Sequence, residues 1–320
     1  MKPRILVTRK LPAPVEARIL KIFEAQLNPD DALMDAETLL ARLEGCDGAL
    51  MSPTERFPAT MIEALPASCR ILASFSVGVD HVDLAAAARR GLTISNTPDV
   101  LTDATADIAV LLILGAMRAA WSAQTSLRAG EWGHWAPTGY LGKDLKGARL
   151  GIVGMGRIGQ ATARRAMAFG MKVSYWNRRP VALPADLAAL PWERDLDALF
   201  AGCDVISLHV PLTPQTKNLL DAARLAKMKP TALVVNTARG GIIDEAALAS
   251  ALRAGKLGGA ALDVFDQEPL KAGSALEGVP RLWLTPHIAG VTAEGNVRVS
   301  TVTVANVRGA LQKLGIKGSK

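Results

Sequence analysis

Six residues near the middle of this 320-residue chain, Gly154-Met155-Gly156-Arg157-Ile158-Gly159, place glycine at the first, third and sixth positions. Glycines at that spacing let a chain turn tightly and let backbone approach a bulky anion, and a helix starting there favours negative charge. An apolar run at 149–153 precedes the motif and a helical pattern reaching Phe169 follows it, the context that turns a common glycine pattern into a dinucleotide signature. Gly154 would make the turn, Gly156 the close approach to a pyrophosphate and Gly159 the helix–strand contact, with Arg157 and Ile158 on the same turn. About 20 residues on, where a carboxylate commonly meets the ribose of NAD, the chain carries Asn177-Arg178-Arg179. Two guanidinium groups and no carboxylate suit a 2′-phosphate, so NADP(H) is favoured, with NAD(H) the alternative.

Elements that could hold these residues alternate along the chain. Residues 3–8 form an apolar run before Pro12 and Pro14, which mark a turn. Strand-like runs recur at 48–51 and 71–75, with helical patterns at 35–44 and 58–64 between them. A long apolar helix is expected over 101–120, capped by Thr102 or Asp103, and then an aromatic, Gly- and Pro-rich loop over 121–147. After the glycine motif come strands at 172–176 and within DVISLHV, ALVVNTA, GAALDVF and RLWLTP. The stretch 293–314 reads as one helix that periodicity assigns to neither half. Two strand–helix series of this kind predict an α/β protein with two doubly wound parallel-sheet domains.

Bulk properties remove several classes. The apolar stretch 108–117 is far short of the ~20 residues that span a bilayer, and the N-terminus MKPRILVTRK has charges where a signal peptide needs its apolar core. Cys46, Cys69 and Cys203, an odd number at wide spacing, suit a reduced, cytoplasmic setting better than a disulfide framework or zinc site. No His, Cys or carboxylate cluster has metal-ligand spacing, so no metal is expected. The net charge of +7 comes from scattered basic residues, and aromatics are only 4%. That pattern fits a field drawing small anions better than a nucleic-acid or membrane surface.

Seven stretches, in order, resemble the D-isomer-specific 2-hydroxyacid dehydrogenases, most of all the glyoxylate/hydroxypyruvate reductases. They are SVGVDHVD (76–83), NTPDVLTDATAD (96–107), GIVGMGRIGQ (151–160), LHVPLTPQTKNLL (208–220), VVNTARGGIIDEAAL (234–248), ALDVFDQEP (261–269) and LTPHIAG (284–290). The resemblance implies a Rossmann cofactor domain, residues 100–286, inserted in a discontinuous flavodoxin-like substrate domain of residues 1–99 plus 287–320. It also implies a catalytic set of Arg239, Glu268 and His287. The chemistry is consistent: reducing a 2-keto acid needs a hydride at the carbonyl carbon and a proton on its oxygen, which a protonated His can give. A carboxylate beside the imidazole favours its charged form, and a guanidinium fork can hold the substrate carboxylate and keto oxygen.

By the same resemblance, backbone amides of Val77 and Gly78 bind the substrate carboxylate, and Arg239 and His287 complete the substrate site. Thr105, His209, Pro211, Thr237, Ala238 and Gly290 line the cofactor, and Asp263 meets the nicotinamide amide. Of the four histidines, His81 and His134 read as ordinary helix-start and loop residues, and His209 as a strand end whose backbone matters more than its ring. Taken singly, Arg239 reads as a surface charge, Glu268 as a loop charge and His287 as structural; only together do they make a set. Loop 50–54 is expected to shape the pocket and Arg298 to lie near its mouth. Trp132, Trp135 and Tyr140 lie where similar reductases build a homodimer, although an internal core role fits them nearly as well.

The expected reaction is NADPH-dependent reduction of glyoxylate or hydroxypyruvate to the D-2-hydroxy acid. The competing readings are a dehydrogenase for a 2-ketogluconate, sulfolactate or phenyllactate type of acid, and an NAD(H)-sensing corepressor-like binding protein. Against the last stand the compact length and the Asn177-Arg178-Arg179 acceptor.

Overall fold

Apolar runs with no polar alternation can be buried on both faces, and such strands pair in parallel under helices. In a computed structural model, which describes residues 2–316, every strand pairing is parallel. The chain divides into two compact units, residues 1–101 with 291–320, and residues 102–290. These boundaries lie a few residues beyond those expected, at 99/100 and 286/287, so His287 belongs to the second unit.

The first unit begins with β1 (Arg4–Val7), α1 (Ala13–Ile22), β2 (Glu24–Gln26), α2 (Ala36–Leu43) and β3 (Gly48–Met51). It continues through α3 (Ala59–Ala64), β4 (Ile71–Ser74), α4 (Leu84–Arg90) and β5 (Thr93–Ser95). The sheet order β2-β1-β3-β4-β5 is that of flavodoxin-like folds. Side chains alternate between its faces: Leu6, Met51 and Leu72 join one core, Ile5, Leu50 and Ile71 the other. Two of its elements depart from expectation. Pro14 opens α1 instead of marking a turn, because proline is tolerated in a first helical turn. The edge strands β2 and β5, three residues each, are too short and polar to be read from pattern.

The second unit contains α5 (Thr102–Met117), α6 (Ala120–Arg128), β6 (Arg149–Val153), α7 (Arg157–Ala168), β7 (Lys172–Trp176) and α8 (Leu196–Gly202). Then follow β8 (Val205–Leu208), α9 (Ala222–Leu225), β9 (Leu233–Asn236), α10 (Glu245–Arg253), β10 (Gly259–Leu262) and β11 (Leu282–Leu284). The long helix expected over 101–120 stops at Met117. Ala119 takes a left-handed conformation, φ +51°, and α6 occupies the start of the expected loop. Asp103, expected as a cap, pairs with Arg165 of α7 at 3.0 Å. The sheet runs β11-β10-β9-β8-β6-β7. A single parallel bridge, Tyr175 to Trp192, continues it beyond β7 and stands where a Rossmann sheet has its outermost third strand.

The last helix, α11 (Ala293–Lys313), returns to the first unit, where Val304, Val307 and Leu311 fill the core that holds Ile5 and Ile71. Among the described residues no single helix is long and apolar enough to cross a membrane. Helices α5 and α6 pass that test only jointly and are bent by 69°, and α5 is packed in a core.

Candidate active site

In doubly wound sheets ligands gather beyond the carboxyl ends of the strands, at the point where strand order reverses. In the second unit that point lies between β6 and β8. Gly154 leaves β6 with φ +102°, and a Cβ there would come within 2.7 Å of the His209 carbonyl at the exit of β8. A Cβ on Gly159 would lie 2.2 Å from the Gly154 carbonyl oxygen, so α7 starts against the turn itself. Nothing stands within 4 Å of a Cβ at Gly156, the residue that opens α7 with no side-chain cap on its amides. Arg157 is exposed and Ile158 half-buried on that first turn. An uncapped, glycine-rich helix start fits the pyrophosphate of a dinucleotide.

At the end of β7 the roles divide. Asn177 does not point to solvent: its Oδ1 accepts the Met155 amide at 2.7 Å, bracing the glycine turn, and its carbonyl accepts Trp192 Nε1. Arg178 and Arg179 are exposed. Arg194, not singled out in the sequence, stacks 5.5 Å from the Trp192 ring and so joins the same edge. Its only signal was proximity to a tryptophan in the linear chain.

The other half of the sheet carries the expected proton-transfer groups. After β9, the buried Asn236 side chain shapes the next turn: Nδ2 donates to the Arg239 carbonyl at 2.8 Å and Oδ1 accepts the Ala238 amide at 3.0 Å. Arg239, half-buried, donates from Nη1 to the Ala238 carbonyl. After β10, Glu268 accepts the Phe265 amide on Oε1 at 3.0 Å and faces His287 Nδ1 with Oε2 at 2.6 Å. Burial pushes the Glu268 carboxyl up, yet the bond and charge of His287, the Phe265 amide and the Arg239 charge outweigh it. The group is held below its usual value. After β11, His287 takes φ +52°, and its amide donates to the carbonyls of Asp263 and Thr285.

The Asp263 carboxylate, expected at the nicotinamide amide, has three partners of its own. Its residue is 0% exposed, and its carboxylate accepts Thr285 Oγ1 at 2.6 Å and the amides of Ile288 and Ala289 at 2.9 and 2.8 Å. It anchors the loop that carries His287. The remaining cofactor-side candidates occupy the same sheet edge or α5. Thr105 is buried on α5, and Pro211 is exposed, its carbonyl accepting Thr216 Oγ1. Ala238 and Gly290 are half-buried, and Thr237 is buried with an Oγ1 that finds no partner among the described residues.

The other histidines divide from His287 on physical grounds. His209 hydrogen-bonds Ser207 Oγ through Nε2 at 2.8 Å, and burial lowers its ring to about 4, so it is neutral at neutral pH. His81, expected as an ordinary helix-start residue, is buried in the first unit with Nε2 3.2 Å from Ser74 Oγ. His134 is exposed. In the first unit Val77 and Gly78 follow β4. Their carbonyls accept from Asn96 Nδ2 and Ser76 Oγ, and among the described residues neither amide donates to a backbone carbonyl. Arg298 is exposed on α11.

A phosphate-type turn at the switch point, with an Arg–Glu–His set on the strands to one side, is the layout of a dinucleotide-dependent oxidoreductase. Comparison with known proteins resolves the class further. Residues 110–289 match the D-isomer specific 2-hydroxyacid dehydrogenase, NAD binding domain. The chain is 39% identical over 311 residues to a glyoxylate reductase from Korarchaeum cryptofilum, covering 96% of this chain and 92% of that one. A Thermus thermophilus protein of known structure is 42% identical with a TM-score of 0.89 over 97% of both chains. The NADPH-dependent glyoxylate/hydroxypyruvate reductase of Sinorhizobium meliloti, solved with NADP and malonate, is 33% identical with a TM-score of 0.86, covering 100% of this chain and 97% of that one. The chain belongs to the D-isomer specific 2-hydroxyacid dehydrogenase family, and residues 110–289 form its NAD-binding domain.

Proposed function

We propose that the protein reduces a small 2-keto acid, glyoxylate or hydroxypyruvate, to the D-2-hydroxy acid with NADPH as the preferred donor, in the cytoplasm and as a homodimer. The observation that carries the reading is the 2.6 Å pair of His287 Nδ1 and Glu268 Oε2 beside Arg239, on the sheet that holds the glycine turn. A bound nicotinamide supplies the hydride. His287, with Nδ1 committed to Glu268, has Nε2 left to give the proton to the keto oxygen. Glu268, ionised, stabilises positive charge on the ring and fixes its orientation. Arg239 presents a planar fork to the substrate carboxylate and keto oxygen, and the Val77 and Gly78 amides are assigned to the carboxylate. The glyoxylate reductases among the relatives support the substrate class.

NADPH preference rests on Arg178 and Arg179 at the end of β7, with no carboxylate there to repel a 2′-phosphate. A 2′-phosphate adds a charge of about −1.5 to −2. A charge-assisted bond contributes ~1.5–3 kcal/mol, so NADPH should bind at least about tenfold more tightly than NADH. The test is a 340 nm assay of both cofactors against a panel of 2-keto acids, in wild type and in Asn177→Asp/Arg178→Ala. Turnover with glyoxylate or hydroxypyruvate and a reversed cofactor order in the double variant are expected. Wild type using NADH as well as NADPH contradicts the preference, and no turnover with any keto acid contradicts the activity. The dimer reading rests on exposed Trp132, Trp135 and Tyr140 and is checked by sedimentation.

A further inference from the structure

Arg239 and Glu268 come from turns after different strands, and a set of contacts beneath them ties the two turns together. At Gly240 the backbones meet: a Cβ there would lie 1.9 Å from the Phe265 carbonyl oxygen. The next residue, Gly241, at φ +75°, donates its amide to Asp266 Oδ1 at 2.5 Å. The Asp266 amide in turn donates to Glu245 Oε1 at 2.7 Å, on the first turn of α10. One residue back, the Phe265 amide donates to Glu268 Oε1, the carboxylate that holds His287. Two consecutive amides are thus gripped by two carboxylates, one rooted in a helix and the other carrying the imidazole. Glu245 is half-buried, and burial, with the neighbouring charges of Asp266 and Glu268, pushes its carboxyl above its ordinary value against the pull of the Asp266 amide. An acid placed at that electrostatic cost, outside the proton-transfer set, needs a reason.

We propose that Glu245 and Asp266 are positioning residues for the reduction, clamping the 265–268 turn to the 239–241 segment and so fixing Glu268–His287 relative to Arg239. Neither touches the reacting atoms. Their effect is geometric, and displacing reacting groups by about 1 Å can cost about 100-fold in rate. Glutamine at 245 keeps an oxygen for the Asp266 amide and alanine does not, so the pair separates hydrogen bonding from charge.

The proposal rests on the reductase reading for its kinetic arm only. Glu245→Ala, Glu245→Gln, Asp266→Ala and the Glu245→Ala/Asp266→Ala double variant are compared with wild type in kcat, keto-acid KM, NADPH affinity by fluorescence, and the downfield ring N–H proton of His287 by NMR. The last needs no substrate. Glu245→Ala should lower kcat about 10- to 100-fold with NADPH affinity within about twofold, and should shift or broaden the His287 ring proton. Glu245→Gln should stay within about threefold of wild type, and the double variant should be little worse than the poorer single, as for residues acting through one turn. The proposal is overturned if Glu245→Ala keeps both kcat and the ring proton, or if Gln loses as much as Ala. A parallel loss of NADPH affinity, the mark of general loosening, overturns it as well. Should wild type reduce no keto acid, the reductase reading fails and the ring proton alone decides the clamp.

Discussion

His287 is held at φ +52°, a conformation that strains a non-glycine residue by about 1–3 kcal/mol, and the buried Asp263 carboxylate holds the loop in it by gripping Thr285, Ile288 and Ala289. The strain aims a ring whose Nδ1 is fixed by Glu268. Replacing His287 with Ala should leave NADPH binding nearly unchanged and slow reduction by roughly 10² to 10⁴, the span of general acid catalysis; retention of most of kcat would remove the assignment. The Glu268 carboxyl lies below its ordinary value, so it is ionised throughout the working pH range. In the proposed reduction His287 gives the proton and Glu268 is its counter-charge. With Glu268→Gln the ring loses its counter-charge and its fixed orientation, and kcat should fall by about tenfold or more, the worth of one charge-assisted hydrogen bond of ~1.5–3 kcal/mol. An unchanged kcat would refute the pairing. Arg239, Glu268 and His287 could be singled out in the sequence because their neighbours make recognisable motifs, and the structure pairs Glu268 with His287. The loop contacts of Asp263 were not legible because the sequence cannot show which way a strand-end carboxylate turns, and those of Glu245 and Asp266 were not because amide-gripping acids look like surface charges.

The elements carry these groups through close backbone approaches, and glycine marks them. Gly159 seats α7 on the Gly154 turn, while Gly115 seats α5 on β11, where a Cβ would fall 1.8 Å from the Trp283 ring. Both Ala variants should lose about 1–3 kcal/mol by overpacking, read as a lower Tm. Only Gly159→Ala should weaken NADPH binding more than about tenfold, because it displaces the helix start assigned to the pyrophosphate. Equal affinities in the two variants would separate α7 from the cofactor. The central strands could be read because burial on both faces leaves an unbroken apolar run. The break at 117–119 could not, since Ala119 adopts its left-handed turn with no glycine or proline to announce it. Nor could the reduced strand at Trp192, a single bridge that leaves no run to detect.

At the scale of the whole molecule, one unit is contiguous and the other is not. Residues 102–290 contain their own six-stranded sheet, both of its cores and every cofactor-side candidate. Expressed alone, this segment should unfold cooperatively and bind NADPH within about tenfold of the full chain. Calorimetry and fluorescence titration check both points; an unfolded segment, or one blind to NADPH, would show that the unit is not autonomous.

The return of α11 to the first unit also sets an order of events during synthesis. Strands β1 to β5 leave the ribosome before the second unit, but residues that help close one face of their sheet, Val304, Val307 and Leu311, are made after it. Domains generally fold as units during synthesis, the earliest-made first. Here the middle of the chain can finish while the beginning still waits, its apolar face open. The nascent first hundred residues are therefore the stretch most dependent on a chaperone, and a premature stop shortly after residue 290 would yield a folded centre with an aggregation-prone start.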